Sequence, residues 1–157
     1  MAINEKKCGV FARGLSIPQE MAEIPIVSDE NPYKYLGFEM GETMTSKMVI
    51  ERLKEEVALK MDEIAESNAS GLNTIHMVNS TIMAKLRYTF AAVEWRMQDL
   101  EWVNKMVRKK LYEAKVYSKT MLKERLYVKR DEMGIGLMDA RIEFTKELVR
   151  TWLTLKR

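Results

Sequence analysis

The residues of this chain that can do chemistry are few, and their spacing narrows them further. Five aspartates, Asp29, Asp62, Asp99, Asp131 and Asp139, are spread over 157 residues. None belongs to a D-D or D-x-D pair of the kind that holds a divalent ion for phosphoryl transfer. Glu55-Glu56 and Asp62-Glu63 sit in a strongly charged helical stretch and read as a solvated face, and Asp131-Glu132 reads the same way. Gly134-x-Gly136 has no third glycine, no following Lys-Ser/Thr and no long apolar strand before it, so it is not a phosphate loop. One histidine, His76, and one cysteine, Cys8, cannot build a zinc site. His76 lies one residue from an apolar row, which predicts a partly buried, hydrogen-bonded ring. Lys6-Lys7 would lower the Cys8 thiol, but no acid or second histidine stands near it, so Cys8 reads as structural. These residues predict no catalytic group, no metal and no cofactor.

Cations offer more. Lys105 to Arg130 holds ten basic residues against Glu113 and Glu124, a local balance of +8 in a chain of net +3, so the remainder carries −5. Arg108, Tyr112, Lys115 and Lys119 fall at i, i+4, i+7 and i+11, nearly opposite the apolar Val103, Val107 and Leu111, with Lys105 and Lys109 flanking. An aromatic ring among cations suits a nucleic-acid backbone, with phosphates on the cations and the ring against sugar or base. An ordinary solvated helix face has the same composition.

The elements that must position these residues differ between the two ends of the chain. With 46% apolar and 31% charged residues the class is globular. Three prolines and seven glycines leave room for long helices, and thirteen methionines suit a helical core. All three prolines lie before residue 40. There, a short strand is expected around Cys8–Ala12, an edge piece at Ile24–Val27, a turn at Ser28–Pro32 and a strand at Tyr33–Phe38, paired as a hairpin. After Gly41 the period becomes helical. A first helix starts at Thr45 or Ser46 and reaches about Ser67, with Val49/Ile50, Leu53, Val57, Met61 and Ile64 inward. A second covers about 73–92 with Ile75, Val78, Ile82 and Leu86 buried, and a third about 97–117 with Leu100, Val103, Val107, Leu111 and Ala114 inward. Residues 123–128 read as a strand and 133–137 as a Gly-containing turn. Asp139 caps a last helix with Ile142, Leu148/Val149, Trp152 and Leu155 apolar. The expected fold is mostly α, a small N-terminal β-hairpin followed by about four helices. No apolar run reaches the ~20 residues of a membrane span. With one cysteine and no apolar signal core, an intracellular, unsecreted chain is expected.

Several of these pieces, in order, resemble one family. INEKKC (Ile3–Cys8) resembles the end of the palm in reverse transcriptases of non-LTR retrotransposons, and YKYLGF (Tyr33–Phe38) resembles the primer-grip strand that follows it. Trp95, Leu100, the Arg108-Lys109-Lys110-Leu111 cluster and ERLYVKRDEMGIGL (Glu124–Leu137) resemble that family's thumb. The resemblance implies a palm-end remnant at 1–40 and a helical, thumb-like domain at 41–157. It implies a piece of a longer reading frame that grips RNA or an RNA–DNA duplex without polymerising, since both metal-binding aspartate motifs are absent. Lys34, Tyr35, Leu36 and Gly37 would form the grip. Lys105, Arg108, Lys109, Tyr112, Lys115 and Lys119 would face the backbone, joined by Arg125, Lys129 and Arg130. Where the family has G-G-x-G-L with a basic x, this chain has Met133-Gly134-Ile135-Gly136-Leu137. A second reading is a helical scaffold in a larger, RNA-containing assembly, because a hairpin without its parent sheet needs a protein partner to cover it.

Overall fold

A computed structural model of the chain describes residues 9–10, 24–28, 30–31, 33–35, 38–41 and 45–156. The chain divides into two compact units, 1–49 and 50–157.

In the first unit β1 (Tyr33–Tyr35) and β2 (Phe38–Met40) pair antiparallel, with Tyr33 opposite Met40 and Tyr35 opposite Phe38. The expected single strand over 33–38 is therefore folded back on itself. Leu36 and Gly37 lie outside the described residues. Val10 and Ile26 form a parallel bridge, with Val10 N–H donating to the Pro25 carbonyl (3.1 Å) and Val27 N–H to the Val10 carbonyl (2.9 Å). Gly9 allows this approach: a Cβ there would stand 2.7 Å from Val27 Cγ2 and 2.8 Å from Tyr33 Cδ2. Cys8 and the rest of the expected strand around it lie outside the described residues.

The second unit is helical. Helix α1 (Ser46–Glu66) buries Ile50, Leu53, Val57, Met61 and Ile64, the row its spacing predicts. Ser70 caps α2, accepting a hydrogen bond from Asn73 N–H, so the helix begins at Gly71, two residues earlier than expected. It runs in three consecutive segments: α-helical Gly71–Met77, π-helical Val78–Met83 and α-helical Ala84–Thr89. Ile75, Val78, Ile82, Met83 and Leu86 are buried along it. Helix α3 (Met97–Glu113) buries Leu100, Val103, Val107 and Leu111, each contributing about 1.5–3 kcal/mol by leaving water. Lys54 pairs with Asp99 (2.5 Å) and Lys110 with Asp62 (2.5 Å), so α1 and α3 run in the same direction and α2 returns the chain between them. Phe90 closes the core edge-on against Trp95 and Phe144, with ring centroids 5.9 and 5.3 Å away.

Three expectations are corrected here. The third helix stops at Glu113, not near Tyr117. Lys115 takes the left-handed conformation (φ 55), and its N–H bonds the Tyr112 carbonyl while Val116 N–H bonds that of Leu111. This is a Schellman cap in which lysine occupies the place usually held by glycine. Residues 123–128 are not a strand: Lys123–Tyr127 form the short helix α4, which buries only Leu126. His76 is exposed on α2, because it falls on the outer side of the Thr74/Ile75/Val78 row.

After α4 a 3-10 turn (Arg130–Glu132) leads into the glycine turn. Gly136 N–H bonds the Val128 carbonyl (2.8 Å) and Leu137 N–H that of Leu126 (2.8 Å). A Cβ on Gly134 would meet Val128 O at 2.0 Å, so no other residue fits there. Two asparagines tie this loop to the bundle. Asn79, in the π segment of α2, donates to the Gly136 carbonyl (2.8 Å) and accepts from Met138 N–H (3.0 Å). The buried Asn104 of α3 donates to Asp139 Oδ1 (2.9 Å) and accepts from Ala140 N–H (3.0 Å). Asp139 caps helix α5 (Ala140–Leu155), as expected, by accepting from Arg141 N–H at 2.8 Å. No helix among the described residues is long and apolar enough to cross a membrane.

Candidate nucleic-acid interface

Helix α3 turns its polar arc outward because its apolar residues recur on the opposite side. Trp102, Lys105, Lys109 and Tyr112, at i, i+3, i+7 and i+10, form one exposed stripe within an arc of about 80° at ~100° per residue. Arg108 lies at the edge of this arc, about 40° beyond Tyr112, and lines one groove with Trp102 and Lys105. Its guanidinium donates through Nη1 to Tyr127 Oη (2.6 Å) and through Nη2 to Glu101 Oε1 (3.2 Å), and its side chain is only 16% exposed. The cation that sequence places at the head of the stripe is thus held against α4. Lys109, by contrast, is 75% exposed, with Glu113 at 3.9 Å.

Trp102 is the residue that sequence reasoning passes over. An apolar ring off the buried row of α3, three residues before Lys105, is the signal that would have found it. Lys54 Nζ lies 5.4 Å from its ring centroid. Beside it a groove of about 850 Å³ runs between α3 and α4, where Lys105 and Lys123 face Glu101, Glu124 and the Tyr127 ring. Burial raises the Tyr127 phenol above its ordinary range, and the bond from Arg108 offsets this in part.

The early end of α3 changes where Lys115 and Lys119 sit. Instead of continuing the stripe, they line a second groove of about 610 Å³ with Tyr112, Tyr117 and Ser118. The two tyrosine rings are 6.0 Å apart and tilted by 57°. Tyr117 Oη donates to the Arg108 carbonyl (2.9 Å), which fixes the loop against the helix, and burial raises this phenol too. Tyr112 thereby connects the stripe to the two loop lysines.

The remaining predicted cations divide by role. Arg125 Nε donates to the Met133 carbonyl (3.2 Å). Arg130 donates to the carbonyls of Ile135 (3.3 Å) and Leu72 (3.1 Å), so both arginines staple the glycine turn. Each keeps further N–H donors, since a guanidinium has five. Lys129 is exposed on the same loop. Lys34 and Tyr35 lie in β1, and Leu36 and Gly37 lie outside the described residues. Among the described residues no three His, Cys, Asp or Glu side chains converge to hold a metal ion. No protein-family model, curated protein or solved structure matches the chain.

Proposed function

We propose that this chain binds nucleic acid along the basic side of its helical unit, as the thumb of a retroelement reverse transcriptase grips a primer–template duplex, and does not polymerise alone. One observation carries the reading. Trp102, Lys105, Lys109 and Tyr112 form a single outward stripe whose far end meets Lys115 and Lys119 across one groove. Six lysines of the 105–129 stretch, Lys105, Lys109, Lys115, Lys119, Lys123 and Lys129, are exposed. The glycine turn lends support. Met133 adopts the left-handed region (φ 60) at the position where the resembling pattern has glycine, the residue that takes this conformation at least cost. In this reading the role is intracellular, and the N-terminal strands add to the sheet of a polymerase palm or of a protein standing in for it.

The test is a salt titration of binding to an RNA–DNA hybrid, for the wild type and for a variant with Lys105, Lys109, Lys115 and Lys119 all changed to Ala. Every phosphate that is no longer neutralised lowers the slope of log K against log salt by about 0.7–0.9, so the variant should lose roughly three units of slope. Tyr112→Ala should weaken binding by about 1 kcal/mol with the slope unchanged, because it removes a stacking ring and no charge. A quadruple variant that keeps the wild-type slope refutes the reading.

A further inference from the structure

Helix α5 is apolar where nothing in its own unit covers it. Of the sixteen large apolar side chains exposed among the described residues, six lie on this one helix. Ile142, Val149 and Leu153, spaced i, i+7 and i+11, form a row with Met97 beside it, and each of the four is more than half exposed. Together they floor a groove of about 940 Å³. Its charged lining is of one sign: Arg141, Lys146 and Arg150, with no carboxylate. The acids that pair with these cations belong elsewhere. Asp139 and Glu143 are buried, and the side chains of Glu147 and of Glu101, the second partner of Arg141 at 3.2 Å, are 21% and 30% exposed.

We propose that this groove docks an amphipathic helix of another protein, one whose apolar ridge is flanked by carboxylates. An apolar floor with charged edges is the arrangement by which grooves take helices, through apolar anchors at i, i+3, i+4 and i+7. The sign of the rim selects the partner, since opposite potentials attract across an interface and like charges repel. That argues against a second copy of this chain, whose α5 would bring the same three cations. It also argues against nucleic acid, which would leave four aliphatic side chains uncovered and find no ring among them to stack on. The proposal stands apart from the α3 stripe, which it does not use.

The test is fluorescence anisotropy of the full chain with two labelled 16-residue helical peptides. Both carry leucine at i, i+3, i+4 and i+7; the flanking positions are glutamate in one and lysine in the other. The glutamate probe should bind at least tenfold tighter. Lys146→Glu with Arg150→Glu should reverse that order. Val149→Asp with Leu153→Asp should abolish binding of both probes while far-UV circular dichroism stays unchanged, as both sites are exposed. Equal binding of the probes, binding that survives Val149→Asp with Leu153→Asp, or no binding at all would overturn the proposal. Sedimentation showing a wild-type dimer that the aspartate variant dissolves would give the face to a second copy. Displacement of the glutamate probe by an RNA–DNA hybrid would give it to nucleic acid.

Discussion

Arg108→Ala should weaken the fold and leave the proposed nucleic-acid binding almost untouched, the reverse of what its place among the cations of α3 suggests. The side chain makes two hydrogen bonds, to Tyr127 Oη (2.6 Å) and Glu101 Oε1 (3.2 Å). Bonds involving a charged group contribute about 1.5–3 kcal/mol each when sheltered. The Glu101 side chain is 30% exposed, so water replaces much of its share. The Tyr127 bond is shorter and more sheltered and dominates. The arginine stem also packs between α3 and α4, and truncation removes that cover. A loss of about 2–3 kcal/mol follows, or roughly 10–15 °C in melting temperature for a unit of this size. Urea unfolding followed by far-UV circular dichroism measures the first quantity, and a salt titration on the same sample measures the second. The slope should move by less than about 0.5, below the share of one phosphate. Tyr127 supplies a third readout: the Arg108 bond holds its phenol down against burial, so its titration should move to higher pH in the variant. A stability change below ~0.5 kcal/mol together with a slope decrease near 0.9 would show that Arg108 leaves its partners to bind phosphate.

Burial alone would raise the Asp139 carboxyl, but hydrogen bonds from the Arg141 guanidinium, Asn104 and the Arg141 N–H outweigh it and hold the group below its usual range. Its stabilisation is therefore complete above the unfolded value of about 3.9 and fades as pH falls through the lower folded value. The stability gap between wild type and Asp139→Asn should accordingly shrink below about pH 4 in a series of urea titrations. Gly134→Ala should cost more than ~3 kcal/mol, because its Cβ would lie 2.0 Å from a backbone oxygen that no rotamer change can move; an unchanged melting temperature would contradict the turn geometry. Asn79→Leu should cost about 1–3 kcal/mol and speed hydrogen exchange at the Met138 N–H, since the loop loses both bonds to α2.

Buried rows were the legible part of this fold. Ile50 to Ile64 on α1 and Leu100 to Leu111 on α3 follow the helical period, and the core takes them as the pattern requires. What failed had physical reasons that lie outside periodicity. The end of α3 carries no glycine or asparagine to announce a left-handed cap, because Lys115 adopts that conformation itself. Residues 123–128 are too few to separate a period of two from one of 3.6, and α4 buries a single leucine. Amphipathicity predicts that Ile142, Val149 and Trp152 share an apolar side of α5, but it carries no information about what covers them. Of the candidate interface, the basic stretch was legible and the division of labour within it was not. Arg108 is set apart from Lys109 by Tyr127, nineteen positions away, and a hydrogen bond of that range leaves no trace in local spacing.

The π segment of α2 makes the chain's length negotiable at one place. Val78, Ile82, Leu86 and Phe90 are all buried, yet they stand at uniform steps of four. At ~3.6 residues per turn each such step overshoots by about 40°, so an α-helix would carry the last of them some 120° out of phase. The wider i→i+5 turns over Val78–Met83 absorb that drift. A helix lacking one residue between Asn79 and Ile82 would have spacings of seven and eleven from Val78 to Leu86 and Phe90, which an ordinary α-helix satisfies. Removal of the exposed Ser80 should therefore leave the core in phase and the protein folded. A one-residue deletion in the middle of α1 or α3 would rotate every later side chain by about 100° and unfold it. Frame-preserving loss of a codon should thus be tolerated at Ser80 for a geometric reason, and a deletion scan of α1, α2 and α3 read by melting temperature should show a single permissive window there.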